Sequence, residues 1–378
     1  YMHLVDLWGD IPYSDALKGA SSLRPAYDKG TDIYDSLFIE LQKGIDLIGS
    51  AGVTPSASSD IMFGGDKTSW IRFANTVRLE MILRMSQLQT KPDFFQTAVT
   101  AAAAEPNGFL TDDALVQPGY VNSAGQGNPF WQRFYNLSQQ AVSSFGDFWA
   151  ANQFAVDFYT NTSDPRISRE YQPVPGTSTY VGTVVGATNG NPVNGKYSIF
   201  GPGILQGPTA PAVMMLASEG YFLRAEAVVL GYLSGNDSAL YKQGIVESFR
   251  YLGVPDYQKT FDSTYYPGEA GNPKVDYRTA TTVLAKQTII LRQKWAALNN
   301  INSSEAYNDY RKFDYLHTGS FPYAGPLGDT PLTISPYIDV DKIPIRWKYP
   351  TSEYSKNPDN VQKQGSIDHQ NTKIWWMQ

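Results

Sequence analysis

Residues 190–196 read Gly-Asn-Pro-Val-Asn-Gly-Lys, two glycines around four residues and then a lysine, the spacing with which a glycine-rich loop cradles phosphate groups. The next position breaks the pattern. Tyr197 stands where a Ser or Thr would hold magnesium, Pro192 sits inside the loop, and neither a buried strand before nor a helix after is readable. An ordinary glycine turn is expected there. Gly201-Pro202-Gly203 is out of register for a dinucleotide fingerprint and also reads as a loop. His3, His317 and His369 are the only histidines; none has a second His or a carboxylate at a helical spacing suited to zinc, and each reads as a surface or loop residue. A serine triad has no Gly-x-Ser-x-Gly elbow and few histidines to serve it. Carboxylate chemistry is harder to dismiss, because glycoside hydrolysis asks only for two acids roughly 5–10 Å apart, which spacing along a chain does not measure. Glu219 and Glu226 share one helix face, where solvation or pairing with Arg224 is the expected role. Asp112, Asp113, Asp339 and Asp341 fall in loops without EF-hand spacing and read as solvated acids. No cofactor or metal ligand is assigned, and a structural calcium is left open.

Aromatic rings in irregular chain are the feature that remains: Tyr120, Phe130, Trp131, Tyr135, Phe148, Trp149, Tyr171, Tyr180 and Tyr197. Two roles fit them. They pack long loops onto helices, or they form a platform on which sugar faces or peptide side chains stack. Burying ~50 Å² per stacked sugar at roughly 25 cal/mol/Å² gives about 1.2 kcal/mol, so three rings supply ~4 kcal/mol, which is about millimolar affinity. A platform of that strength works through several contacts on a polymer. On this reading the ligand-binding residues are Tyr120, Trp131, Tyr135, Trp149, Tyr180 and Tyr197, and no residue is catalytic.

The elements that must position these rings are mostly helical. Over 31–48 the residues Ile33, Leu37, Leu41, Ile45 and Ile48 recur at three- and four-residue spacing behind a Thr31 or Asp32 cap. Over 66–88 a stripe of Trp70, Phe73, Val77, Met81 and Met85 leaves Arg72, Arg78, Glu80 and Arg84 largely off the apolar face. An Ala-rich helix over 92–105 is stopped by Pro106-Asn107-Gly108. From 111 to about 211 glycine, proline and asparagine interleave with rings, interrupted by one expected helix over 146–159; so long an irregular stretch is usually functional or disordered, and the rings argue against disorder. Helices return over 211–233, 237–252, 279–300 and 303–316. The first of these carries two apolar rows, which means a helix packed on two sides. Small Ala and Gly residues in these rows permit close approach, as in tetratricopeptide-type stacks, although no clean 34-residue period is present. The expected organisation is a single domain over 1–378, with a helical scaffold at 1–110 and 211–316, a loop-rich ligand-facing excursion at 111–210, and a Pro- and Gly-rich wrap at 317–378.

Composition narrows the partners. A chain of 378 residues with 42% hydrophobic residues is globular, and its 17% charged residues fall below the ~25% usual in soluble domains. A net charge of -6 without any dense basic run argues against nucleic acid. The absence of cysteine removes disulfides, thiolate metal sites and cysteine nucleophiles together. No run of ~18 apolar residues is present to span a membrane as a helix. Tyr1 opens directly into an apolar run without an initiating Met, so the chain reads as a fragment, with room upstream for a signal peptide, an anchor and first helices.

Several motifs, taken in order, resemble the SusD/RagB family of Bacteroidetes surface lipoproteins. LVDLWGDIPYSDAL (4–17) followed by RPAYDKGTDIYDSLFIEL (24–41) looks like its signature, and FGGDKTSWIRFANTVRLEMILRM (63–85) resembles the helix that follows. Asn128-Pro129-Phe130, Asp164-Pro165-Arg166, SEGYFLRAEAVVLG (218–231), QKWAALN (293–299), RWKYPTSEYSKN (346–357) and the terminal Lys373-Ile374-Trp375-Trp376 continue it almost end to end. The resemblance implies a mostly α fold in which tetratricopeptide-like helix pairs carry long loops. It further implies non-catalytic glycan binding, or peptide binding in some members, as partner of a SusC-like TonB-dependent transporter. A lipid anchor would hold the protein at the outer-membrane surface. The matched motifs belong to the scaffold, so the resemblance transfers no ligand residue; a helical glycoside hydrolase is the alternative from another class.

Overall fold

The protein is described from a computed structural model covering residues 1–52, 54, 56–142, 149–186, 195–265, 275–313 and 344–377. Phe148, the start of the expected 146–159 helix, most of the 190–196 glycine motif, His317, Asp339 and Asp341 lie outside these residues.

The N-terminal scaffold consists of α1 (Met2–Trp8), α2 (Gly30–Ser50), α3 (Lys67–Arg84) and α4 (Phe94–Ala104). Asp66 caps α3, its carboxylate accepting from the backbone N–H groups of Thr68 and Ser69. The excursion that follows carries β1 (Ala114–Val116), α5 (Trp131–Phe134), α6 (Gln153–Asn161) and α7 (Ile167–Glu170). β2 (Ala212–Met215) returns the chain to the scaffold, pairing antiparallel with β1 through Ala114–Met215, Leu115–Val213 and Val116–Ala212, with an irregularity after Ala114. Then come α8 (Ala217–Val229), α9 (Asp237–Leu252), α10 (Tyr257–Tyr265), α11 (Val283–Leu298) and α12 (Ser303–Phe313), followed by the short α13 (Thr351–Lys356) and α14 (Pro358–Gln362).

Three of the expected helices begin later than their patterns suggest. The apolar run after Pro211 serves first as strand β2, because Val213 and Met214 alternate across a sheet edge before α8 starts. Of the helix expected over 146–159, the described residues from 149 on hold α6, which opens where Asn152 Oδ1 accepts from Phe154 N at 2.7 Å. The segment 279–300 likewise follows a single 3₁₀ turn (Tyr277–Thr279), and α11 begins only behind Thr282.

Helices α8 and α9 are the centre of the scaffold: α8 packs on α9, α11 and α3, and α3 in turn packs on α2 and α4. The two apolar rows of α8 are both used, with Phe222 and Ala225 in one core and Leu223 and Ala227 against Leu79 and Leu83 of α3 in another. Gly244 of α9 permits the close approach, since a Cβ there would stand 2.8 Å from the Phe222 ring. The C-terminal residues close over the start of the chain. Ile345, Ile374 and Trp376 are buried in the core formed by Val5, Ile11, Ile33 and Tyr34.

Because α3 and α8 are covered on several sides, charged residues expected at the surface are buried. Arg78, Glu80 and Arg84 of α3 and Glu219 and Glu226 of α8 are all at most 3% exposed, so neither helix-surface solvation nor pairing with Arg224 describes the two glutamates. Glu226 instead receives Lys312 Nζ at 2.9 Å, while Arg224 lies over the rings of Phe109 and Tyr221. Arg84 gathers Glu80 at 3.0 Å, Glu305 at 2.5 Å and Asp6 at 3.3 Å.

Candidate functional site

The local sequence of the excursion builds a cleft against the ends of the scaffold helices. Asn128 is its keystone: its Oδ1 accepts from Phe130 N and Trp131 N, both at 3.0 Å, and so starts α5. Its Nδ2 donates to Ala210 O at 2.9 Å and its backbone N–H to Pro208 O at 2.7 Å, which brings the chain before β2 alongside. Gln132 Nε2 ties down the 121–127 loop through Ser123 O. Below, Gly201 and Gly203 lie so close to α7 that a Cβ on either would meet Arg169 O, at 2.4 and 2.9 Å, and Arg169 Nε bonds Leu252 O at the end of α9. The glycine pair that failed as a nucleotide motif is thus a packing device.

The resulting cleft encloses about 380 Å³ between Tyr120, Phe130 and Trp131 of the excursion, Ala212 and Val213 of β2, Tyr251 at the end of α9, and Asn300 and Ile301 in the α11–α12 turn. Its lining holds no Asp, Glu, Lys or Arg. Burial, with Asp113 and Glu170 nearby, raises the Tyr251 hydroxyl to about 12, so it stays a neutral hydrogen-bonding group. From Phe130 a ridge of rings runs outward: Phe130 meets Phe134 and Phe200 at 5.3 and 5.7 Å between centroids, and Trp149 meets the same two at 6.1 and 5.7 Å. Trp149 is 48% exposed and Phe130 38%.

The six expected ligand residues are therefore distributed unevenly. Tyr120 and Trp131 line the cleft; Trp131 is 5% exposed and forms a wall rather than a free platform. Tyr135 stacks on Trp131 at 5.1 Å with planes 19° apart. Trp149 ends the ring ridge. Tyr180 packs on the large helical core and Tyr197 stands in the neighbouring loop, where Ser198 pairs with Val181; neither lines the cleft. Tyr171 is buried beside Tyr159. Sequence reasoning missed Tyr251, Asn300 and Gln206, which sit at helix ends and in turns far apart along the chain, although the Asn299-Asn300 pair closing a helix was a readable turn signal.

Outside the cleft, the described side chains grouped closely enough to take a metal have other work. Carboxylate oxygens of Glu80, Glu219 and Glu305 lie within 4.8 Å of one another, deep in the scaffold. Burial and the neighbouring Glu305 push the Glu80 carboxyl well above the carboxylate range; burial, with Glu305 and Asp309 adding to it against Lys294, raises Glu219 to about 7. Burial is outweighed at Glu305, where Arg84 and Lys294 hold the carboxyl low. The chain's own cations and retained protons balance this cluster, which makes it a structural network. In the 112–113 loop Asp113 accepts from Ala217 N at the start of α8 and pairs with Arg250 at 2.7 Å, so its oxygens are occupied by the protein. His3, on α1, is 62% exposed at its side chain, 3.8 Å from Glu305.

The sequence model of the SusD-like family described as "Starch-binding associating with outer membrane" matches residues 1–350. Among solved structures, a SusD homologue from Bacteroides uniformis superposes with a TM-score of 0.78 at 23% identity, covering 100% of this chain and 78% of its own. A chitin-binding SusD homologue from Flavobacterium johnsoniae gives 0.77 at 24% identity, covering 99% and 77%. A SusD-like protein from Bacteroides thetaiotaomicron gives 0.76 at 23%, covering 99% and 78%. Likeness at these identities establishes the fold. No curated protein matches the chain.

Proposed function

Since the chain belongs to the SusD-like family, we propose that it is a non-catalytic glycan-binding protein of the cell surface, held at the outer membrane by a lipid anchor, that delivers oligo- or polysaccharide to a TonB-dependent transporter. The observation that carries this reading is the uncharged, ring-walled cleft continued by the Phe130–Trp149 ridge. A sugar ring offers an apolar face to Trp149 and Phe130, and hydroxyls to Tyr120, Tyr251, Gln206 and Asn300 around the cleft. The excursion over 111–210 is then the ligand-facing part. Tyr120, Trp131 and Trp149 are its contacts, with Tyr135 backing Trp131. The family's own description and the chitin-binding relative support a polysaccharide as the ligand. Acid–base hydrolysis would require two carboxyl groups flanking a bound sugar, and the cleft lining, which lies wholly among the described residues, offers none.

Native affinity gels cast with soluble starch or glycol chitin, with a reducing-end assay on the same samples, test this. Retardation by a glycan without new reducing ends is expected. Weak stacking predicts that Trp149→Ala lowers affinity roughly threefold to tenfold. New reducing ends would make the protein a hydrolase, and heat from peptides in place of glycan retardation would make it a peptide importer.

A further inference from the structure

The turn that joins α11 to α12 contains more than a turn requires. Ile301 N and Asn302 N both return to Leu298 O at 2.9 Å, and Asn300 takes the left-handed conformation with φ of 60°. Glycine meets that requirement at least cost, and asparagine is the common substitute because its short side chain tolerates the region. Backbone geometry alone therefore leaves the amide of Asn300 without a purpose. That amide is nonetheless oriented. Its Nδ2 donates to Glu170 Oε2 at 2.9 Å, and Asn299 Nδ2 donates to Tyr171 OH at 3.0 Å beside it. Glu170 is fully buried at the C-terminal end of α7, and its Oε1 has no partner. With the nitrogen committed to Glu170, Asn300 Oδ1 accepts no hydrogen bond from the described residues while the residue lines the cleft. The wall around it is made of short apolar groups: Ile301, Val213, Ala212 and Ala210.

An acceptor held by its own amide's bond to Glu170, beside a small apolar wall, matches one substituent better than a bare hydroxyl. An acetamido group carries an N–H donor and a methyl, so the acceptor takes the first while the wall takes the second. We propose that the cleft selects 2-acetamido sugars and that Asn300 determines this specificity, its Oδ1 accepting the acetamido N–H while Ile301 and Val213 receive the methyl. This rests on the reading of the cleft as the glycan site. A hydroxyl at the same position still hydrogen-bonds, but it leaves the methyl wall unfilled.

The test compares chitohexaose with cellohexaose, which share a β-1,4 backbone and differ at C2 in carrying an acetamido group or a hydroxyl, and adds maltohexaose. Calorimetry on the full chain is expected to show chitohexaose bound at least tenfold more tightly than cellohexaose. Loss of one neutral hydrogen bond makes Asn300→Gly lower chitohexaose affinity by roughly tenfold. Glycine satisfies the left-handed turn and Asn299 Nδ2 still reaches Glu170 Oε2 at 3.3 Å, so loss of the Asn300 bond to that oxygen is expected to move the thermal midpoint of Asn300→Gly by no more than a few degrees. Equal affinity for the two β-linked sugars, or a ratio unchanged in Asn300→Gly, overturns the assignment and leaves the glycan site standing. Binding of cellohexaose or maltohexaose alone does the same. Binding of none of the three overturns the glycan reading and this inference with it.

Discussion

Glu170 closes α7 from a fully buried position beside Asp164, Arg166, Asn299 and Asn300. Burial, with Asp164 adding to it and Asn300, Arg166 and Asn299 opposing, raises its carboxyl from 4.5 to about 8. The folded chain then binds a proton that the unfolded chain has released, so stability falls as pH rises from about 4.5 to about 8 and levels off above. Glu170→Gln removes that proton from the balance. Denaturant titrations at pH 5 and pH 9 are expected to show the variant losing less stability than the unaltered chain, by roughly 3 to 5 kcal/mol at ~1.4 kcal/mol per pKa unit. Glu80 and Glu219, raised in the same direction, are common to both proteins and cancel in that comparison. The two tryptophans of the ring system separate in the same way. Trp131→Ala empties a buried wall and is expected to cost ~3–5 kcal/mol, whereas Trp149→Ala, at a half-exposed position, changes binding with little effect on the melting midpoint.

At the level of elements, the ends and the contact faces of helices do the positioning. Asp66 satisfies two N–H groups at the start of α3, and Asp66→Ala is expected to cost ~1 kcal/mol in urea unfolding. Gly244→Ala adds a methyl 2.8 Å from the Phe222 ring and is expected to cost ~1–3 kcal/mol, because α8 and α9 must separate or the ring must leave its rotamer. The same logic explains the cleft. Asn128 starts α5 and anchors the chain before β2, Arg169 ties α7 to the end of α9, and the α11–α12 turn supplies Asn300. Short elements held by side-chain caps orient the rings, and the long helices supply a rigid wall behind them.

Across the whole molecule, the buried ionic network joins segments that are far apart in the chain. Arg84 of α3 reaches Asp6 of α1 and Glu305 of α12, and Trp376 Nε1 donates to Asp6 Oδ1 at 3.0 Å. Arg84→Met keeps the volume but leaves these carboxyls without their guanidinium, and chemical denaturation is expected to show a loss of ~3–5 kcal/mol. Local signals made the scaffold legible in the sequence: α2 and α3 lie where their apolar spacing puts them and α4 where its Ala-rich propensity does, and α9 and α12 fall within the expected segments, since stripe, propensity and cap are all local properties. The ordered motifs pointed to the SusD-like family for the same reason, each being carried by a contiguous stretch. Tertiary structure decided the rest. Periodicity reports one apolar face and says nothing of a helix covered on several sides, so Glu80, Glu219 and Glu226 read as surface groups until α3 and α8 were seen at the centre. Nor does composition tell a ring that packs from a ring that faces a ligand. Tyr180 and Tyr197 match Tyr120 and Trp131 in their irregular surroundings, and only the meeting of the excursion with the ends of α9 and α11 sets Tyr120 and Trp131 beside Tyr251 and Asn300.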